Sequence, residues 1–314
     1  MAVVVLRNDV CMPRIGLGTY QMNESDLTVA IPASLDCGYR CFDTAASYKN
    51  EKYLGEILER ELALRGLQRS DVFISSKLRP ADQGYENAKT AIAKSSRLLG
   101  GYIDLFLIHW PGVNKKPPGD AVHSVKRAES WVALQEAMEE GRLVRAIGVS
   151  NYNISHLNDM QQSPGYRIQP MVNQVELHPA HHPLDLIAYC RSHGIHLQAY
   201  SSLGQGRLLS DEVYSTFPRL IQIAEKHFSN SASSSSNSVT KCPASCVANL
   251  YLKWAIQMEF SIIPRSRNPK RIEENFMACV SSSDDKISDP DMEYIGAMQQ
   301  VMPLRQCWDS SVVL

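Results

Sequence analysis

Short apolar runs alternate with longer stretches of helical period along this chain. Arg14–Gly18, Tyr39–Phe42, Asp71–Ser76, Tyr102–Ile108, Leu143–Val149, Met171–Val175, Ile195–Ala199 and Phe260–Ile263 read as strands. Between them, Glu24–Cys37, Glu51–Leu64, Tyr85–Leu99, Ser124–Glu140, Ile154–Met160, Leu184–His193 and Pro243–Met258 read as helices. Gly38, Gly100, Gly141 and Gly194 supply stop signals. Tyr102–Ile108 is the most apolar run, as a strand buried on both faces should be. Pro32 falls inside the first helix and predicts a kink or a split there, at about 3 kcal/mol unless relieved. Ahead of the first strand, Val3–Leu6 and Val10–Met12 flank the turn-rich Arg7-Asn8-Asp9 and predict a hairpin.

Eight strands alternating with helices argue for a parallel sheet, and eight such units in about 250 residues match a (β/α)8 barrel. The expectation is therefore an α/β protein: a TIM barrel with an N-terminal β-hairpin, one domain over residues 1–314. A doubly wound open sheet is the competitor. It would need a glycine fingerprint, and both Gly16-Leu17-Gly18 and Gly204-Gln205-Gly206 lack the third glycine. Residues 229–242 break the pattern. Seven of the first ten are serine, which cannot build a core and predicts a surface insertion.

Composition narrows the function little. The net charge of −1 implies no attraction to nucleic acid or to a membrane surface. No apolar run approaches bilayer length, and the first residues lack a signal peptide's pattern, so a cytoplasmic monomer is expected. The eight cysteines are scattered, without disulfide-scaffold density or zinc spacing, so no metal site is expected.

The chemistry gathers at strand ends. In a barrel the active site lies at the C-terminal rim, and the runs above end at Asp43, Lys77, His109, Ser150, Asn151, Gln174, Tyr200 and Ser266. Tyr48 follows Asp43 by five residues. A free tyrosine has a pKa near 10, which a neighbouring ammonium lowers. Asp43 can hold that lysine charged. Asp43, Lys77 and Tyr48 together predict a proton donor tuned toward neutral pH, and a shift of two units would take roughly 2.7 kcal/mol. His109 could orient a carbonyl oxygen. The plainer reading is an Asp–Lys pair at a barrel rim beside an unrelated tyrosine and histidine.

Several segments, in order, carry a resemblance. They are Gly16-Leu17-Gly18-Thr19-Tyr20, Gly38 to Ala45 with Tyr48, Ser76-Lys77-Leu78, Leu107-Ile108-His109-Trp110-Pro111, Ile147 to Asn151, Asn173 to Pro179, Tyr200 to Gly204, and Ile263-Pro264-Arg265-Ser266 through Arg271 to Asn275. Over nearly its whole length the chain resembles the aldo-keto reductase superfamily, with some likeness to small aldehyde reductases and prostaglandin F synthase-like members. The resemblance implies NADPH-dependent reduction of aldehydes or ketones, with Asp43, Tyr48, Lys77 and His109 as the catalytic tetrad. It implies that Ser150, Asn151 and Gln174 hold the nicotinamide carboxamide and that Tyr200 stacks on its ring. Gly18, Thr19 and Asp43 join the cofactor set. Ser201, Leu203 and Gln205 would pass near the pyrophosphate. Arg265, Ser266, Asn268, Arg271, Glu274 and Asn275 would grip the adenosine end, the arginines suiting a 2′-phosphate. Tyr20, Ser47, Tyr48, His109 and Trp110 would line the pocket for a small carbonyl substrate, with residues 112–123 and the tail near 304–308 as walls. Two rivals remain: a Schiff-base lysine at position 77, and a protein that binds the cofactor but turns over slowly.

Overall fold

The structure is a computed structural model and describes residues 3–228, 244–280 and 286–314. The serine-rich insertion at 229–242 lies outside the described residues. Two strands, β1 (Val3–Val5) and β2 (Cys11–Pro13), pair antiparallel, with Val4 opposite Met12. Eight parallel strands follow: β3 (Leu17–Gly18), β4 (Cys41–Asp43), β5 (Phe73–Leu78), β6 (Ile103–Ile108), β7 (Val144–Ser150), β8 (Val172–Glu176), β9 (His196–Tyr200) and β10 (Ser261–Ile262). Each pairs with its neighbours in chain order.

The first and last strands meet as well. Ile15 bridges Ile262 in parallel sense, Gly16 N–H donates to Ile262 O at 2.9 Å, and Ile262 N–H donates to Arg14 O at 2.8 Å. The sheet is thus closed into a (β/α)8 barrel. Closure is tight at Gly18, where a Cβ would stand 2.6 Å from the Ile263 carbonyl oxygen, so no larger residue fits without moving the seam.

Helices α1 (Glu24–Cys37), α2 (Glu51–Leu64), α3 (Tyr85–Leu98), α4 (Val122–Glu139), α5 (Ile154–Gln161) and α6 (Leu184–Ser192) fill the successive crossovers. The described part of the last crossover holds α7 (Asp211–Thr216), α8 (Arg219–Phe228) and α9 (Ala244–Gln257). After β10 come α10 (Pro269–Val280), α11 (Asp289–Gly296) and α12 (Met298–Val301). Helix α1 is not split at Pro32: it runs unbroken from a capping box at Asn23 to a left-handed Gly38. The carbonyl that Pro32 leaves without a donor belongs to Thr28, on the exposed side, where water can satisfy it.

Among the described residues, two apolar clusters hold the fold. The larger lies between the barrel and its helices. The smaller joins Leu6, Val10 and Met12 of the hairpin to Cys41, Phe73, Leu105, Ala146 and Val172 near the strand starts. The hairpin therefore stoppers the N-terminal mouth. Burying each large side chain there contributes roughly 1.5–3 kcal/mol. Just inside that mouth Asp104, fully buried, bonds Arg69 at 2.9 Å and Arg145 at 2.7 Å and accepts from Ile74 N–H. With one end sealed, chemistry is left to the other.

Candidate active site

At the open end, strand register aligns the polar groups. Gly18 stands beside Asp43, and Asp43 beside Ser75. Ser75 and Lys77 share a face of β5 because side chains alternate along a strand. Lys77 is fully buried, and its Nζ lies 2.6 Å from Asp43 Oδ1, 2.9 Å from Thr44 O and 3.4 Å from the Tyr48 hydroxyl. Asp43 Oδ2 accepts from Ser75 Oγ at 2.7 Å and from Gln174 Nε2 at 2.9 Å. Gln174 belongs to β8, four strands from β4, so that last bond crosses the barrel interior. Its amide also donates to Gln198 Oε1 at 2.7 Å.

Tyr48 sits in a one-turn 3-10 helix, Ala46–Tyr48, after β4. Its ring lies 5.0 Å from Lys77 Nζ, 5.0 Å from the Tyr20 ring and 5.7 Å, edge-on, from the His109 ring. Ser47 Oγ is 3.2 Å from His109 Nδ1. The four residues expected to form a tetrad are therefore brought together, with Ser47 and Tyr20 at its mouth. Tyr20 is 52% exposed, a ring facing the opening. Trp110 stands edge-on to Trp308 of the tail, 6.3 Å away.

The titration of the cluster departs from the sequence expectation at one point. Burial pushes the Tyr48 phenol above its ordinary value, and the Lys77 ammonium opposes this without cancelling it. Tyr48 is thus a neutral phenol rather than one tuned down toward pH 7; the sequence reading counted the lysine and not the desolvation. Burial also works against the Lys77 ammonium, but the charges and hydrogen bonds of Asp43 and Tyr48 outweigh it and raise its pKa. His109 is lowered to about 3, by burial and then by Lys77, so its imidazole is neutral.

Beside the tetrad, Ser150 Oγ donates to Gln174 O, Asn151 Nδ2 to His109 O, and the Tyr200 hydroxyl to Asn151 Oδ1 at 2.7 Å. Asn151 has a φ of 66°, which turns the chain sharply at the end of β7. A cavity of about 280 Å³ is lined by Asn151, Glu176, Tyr200, Arg305 and Asp309 but by neither Tyr48 nor His109. Further round the rim, Ser201, Gly204, Gln205 and Gly206 all have left-handed backbones. Such turns direct successive amides toward an anion. At the start of α10, Arg265, Arg267, Lys270 and Arg271 are exposed and cationic. Asn268 Oδ1 accepts from Arg271 N–H, and Ser266 Oγ accepts from Asn268 N–H. Thr19 Oγ donates to Asp43 O, and Leu203 lies within the 201–206 turn. Glu274 pairs with Lys270 at 3.9 Å, and Asn275 is buried on α10.

Sequence reasoning passed over Ser75 and Gln198, and gave Glu176 no role beyond its place in the Asn173–Pro179 segment. Each is a polar residue two places from a recognised one on the same strand, or directly across from one: Gln174 opposes Gln198 in the register. Gln198 Nε2 is buried without a partner among the described residues.

The closed eight-stranded barrel thus carries a buried Asp–Lys–Tyr cluster and a neutral histidine at its C-terminal rim. The chain belongs to the aldo/keto reductase family, whose sequence profile matches residues 14–295. It is 38% identical over 299 residues to the glyoxal reductase of Bacillus subtilis (strain 168), covering 95% of this chain and 92% of that protein. It is 37% identical over 302 residues to the 9,11-endoperoxide prostaglandin H2 reductase of Trypanosoma cruzi (strain CL Brener), covering 95% and 91%. Among solved structures, that of a Gox0644 mutant in complex with NADPH aligns with a TM-score of 0.79 at 30% identity, covering 99% of this chain and 97% of that one. NADPH is the cofactor of the family.

Proposed function

We propose that this protein reduces aldehydes and ketones to alcohols with NADPH, as a single barrel domain. The observation that carries the reading is the Lys77 ammonium, buried between Asp43 and the Tyr48 hydroxyl, beside a neutral His109. The donor set fits an anionic dinucleotide: left-handed amides at 201–206 for a pyrophosphate, and Arg265 and Arg271 at a helix start for a 2′-phosphate. Ser150, Asn151 and Gln174 would hold a carboxamide, Tyr200 would offer its ring face, and Gly18, Thr19, Ser266, Asn268, Glu274 and Asn275 would complete the cofactor groove. When bound, the cofactor supplies the hydride.

The chain's own groups do the rest. Tyr48 Oη holds the proton that the carbonyl oxygen needs, and its raised pKa keeps that proton in place until the oxygen becomes basic. Lys77 aims the phenol and stabilises the phenolate that remains. Asp43 keeps Lys77 charged, and Ser75 and Gln174 keep Asp43 oriented. When Ser47 donates to Nδ1, His109 carries its proton on Nε2 and can donate to the same carbonyl oxygen. Tyr20 and Trp110 present apolar faces to the substrate body. A Schiff-base role for Lys77 is disfavoured, because a nucleophilic amine needs a depressed pKa and this one is raised. The test is Tyr48→Phe: NADPH binding is retained, while turnover with 4-nitrobenzaldehyde falls about 10²–10⁴-fold, the usual worth of a positioned acid. Near wild-type turnover in the Phe variant would end the reading.

A further inference from the structure

Asn50 stands where α2 begins, a place at which an asparagine side chain commonly caps its own helix. Here, among the described residues, it makes no capping bond to α2. The side chain turns inward instead and is 2% exposed. Its Nδ2 donates to Thr19 O at 2.9 Å and to Met22 O at 3.1 Å, and its Oδ1 accepts from Thr44 Oγ1 at 2.7 Å. The two carbonyl oxygens on one side decide which end of the amide is nitrogen, so both of its N–H donors are used. A residue that gives up a favourable local bond in this way answers to a constraint from elsewhere in the fold.

The segments that this amide joins each touch the tetrad at one remove. Thr44 follows Asp43, and its carbonyl accepts from Lys77 Nζ at 2.9 Å. Thr19 donates to Asp43 O through both its N–H and its Oγ1, each at 2.9 Å. Between Thr19 and Met22 lies Tyr20, whose ring is 5.0 Å from that of Tyr48. The Thr44–Asn50 bond also closes residues 44–50 into a loop that carries Tyr48. Inside it the Tyr48 and Lys49 N–H groups donate to Ala45 O and Ala46 O at 2.9 and 3.4 Å. Lys49 has a φ of 59°, a conformation that a lysine in a slack loop seldom takes. Lys77 is the cation that faces the phenol; Asp43, Tyr20 and the neutral His109 are its other ionisable neighbours. The Tyr48 hydroxyl lies 3.4 Å from Lys77 Nζ, beyond the usual hydrogen-bond length, so a little slack in the loop breaks the contact.

We propose that Asn50 is a positioning residue for the proton donor: by stapling Thr19, Met22 and Thr44 together it holds the loop at which the Tyr48 phenol reaches Lys77 and meets Tyr20. It touches no reacting atom and acts through Tyr48. The role rests on the carbonyl-reduction reading above, whereas the staple exists whether or not a carbonyl is reduced.

Hydrogen exchange reads the staple, and single-turnover kinetics read the positioning. Thr44→Val keeps the Thr44 carbonyl and removes the hydroxyl. In it, exchange of the Tyr48 and Lys49 amides rises about tenfold, and the rate constant for NADPH oxidation by 4-nitrobenzaldehyde in a single turnover falls about 3–10-fold, the range for one lost hydrogen bond. The NADPH Kd of this variant stays near the wild-type value. Thr44→Ser retains the hydroxyl and keeps the wild-type rate constant and exchange. Asn50→Ala releases every segment at once and lowers the rate constant on the order of 10²-fold, as a displacement of about 1 Å would. A merely structural loss lowers the amplitude, because fewer molecules are folded, and leaves the rate constant alone. An unchanged rate constant in Thr44→Val therefore overturns the positioning, whatever the amplitude. Unchanged exchange in Thr44→Val, or a Thr44→Ser variant as slow as Thr44→Val, overturns the staple. If Asn50→Ala does not fold, the two Thr44 variants decide both points. If the wild type does not oxidise NADPH with the aldehyde, the reduction reading fails and the positioning with it, while exchange still reports on the staple.

Discussion

The Asp43–Lys77 pair is the point at which stability and chemistry are coupled, and its two partners are not equivalent. Their side chains are 3% and 0% exposed and 2.6 Å apart. Removing one partner of a buried pair costs about 3–5 kcal/mol, because the survivor stays charged and buried. In Asp43→Ala, Lys77 keeps only the Thr44 carbonyl and the Tyr48 hydroxyl. The full cost is expected, about 3–5 kcal/mol, and at about 2 °C per kcal/mol for a chain this long Tm falls by roughly 6–10 °C. In Lys77→Met, Asp43 keeps Ser75 and Gln174 as donors, so the loss is smaller, about 1–3 kcal/mol. The double variant should lose less than the two single losses together, leaving a coupling energy of about 2–3 kcal/mol. Urea unfolding of the four proteins measures the cycle, with turnover recorded alongside; all three variants should be inactive. Additive losses, or a Lys77 variant less stable than the Asp43 variant, would refute the view that the ammonium depends on this one carboxylate.

Three further outcomes are expected. NADPH should be preferred over NADH by more than tenfold, since each charge-assisted bond to a phosphate is worth roughly 1.5–3 kcal/mol; Arg265→Ala and Arg271→Ala should raise the NADPH Kd in fluorescence titration and leave the NADH Kd nearly fixed, and equal affinities in the wild type would refute it. His109, His156 and His196 are held neutral, at about 3, 4 and 4, by burial first in each case. The unfolded chain binds protons near pH 6.5 that the folded one refuses, so stability is full above that pH and falls as the solution is acidified toward pH 4; Tm against pH should be less steep in His196→Asn, and an unchanged slope would contradict the assignment. Offered an α,β-unsaturated ketone with NADPH, the protein should yield the allylic alcohol or nothing, because His109 orients the carbonyl; a saturated ketone as main product would remove that role from His109.

Much of the barrel was legible because strands buried on both faces are unmistakably apolar, and a polar residue ending one stands out. Asp43, Lys77 and His109 could be found that way. Helices α7 and α8 were passed over, although Leu220, Ile223, Ala224 and Phe228 are buried at helical spacing in α8. Helix α11 was missed too, despite Ser288 and a proline in its first turn. Helix α4 starts at Val122, earlier than its pattern suggested, with no side-chain cap to mark the start. The Tyr48 shift was misjudged for a different reason. A neighbouring charge is visible in a sequence, but the depth of burial that opposes it is a property of the whole packed rim. The Glu176 bonds to Gln306 and Cys307 span about 130 positions and use backbone donors, which carry no residue-specific signal.

The seam between β3 and β10 also sets an order of assembly. Ile15 finds its partner in Ile262, near the far end of the chain. At roughly 5–20 residues per second, synthesis leaves the first barrel strand with an open edge for about 12–50 s before the last one exists. During that wait the growing sheet has a free side on which another chain could add. Both seam strands are only two residues long, a small template for a wrong partner. The short seam thus also limits mispairing while the barrel is still being made.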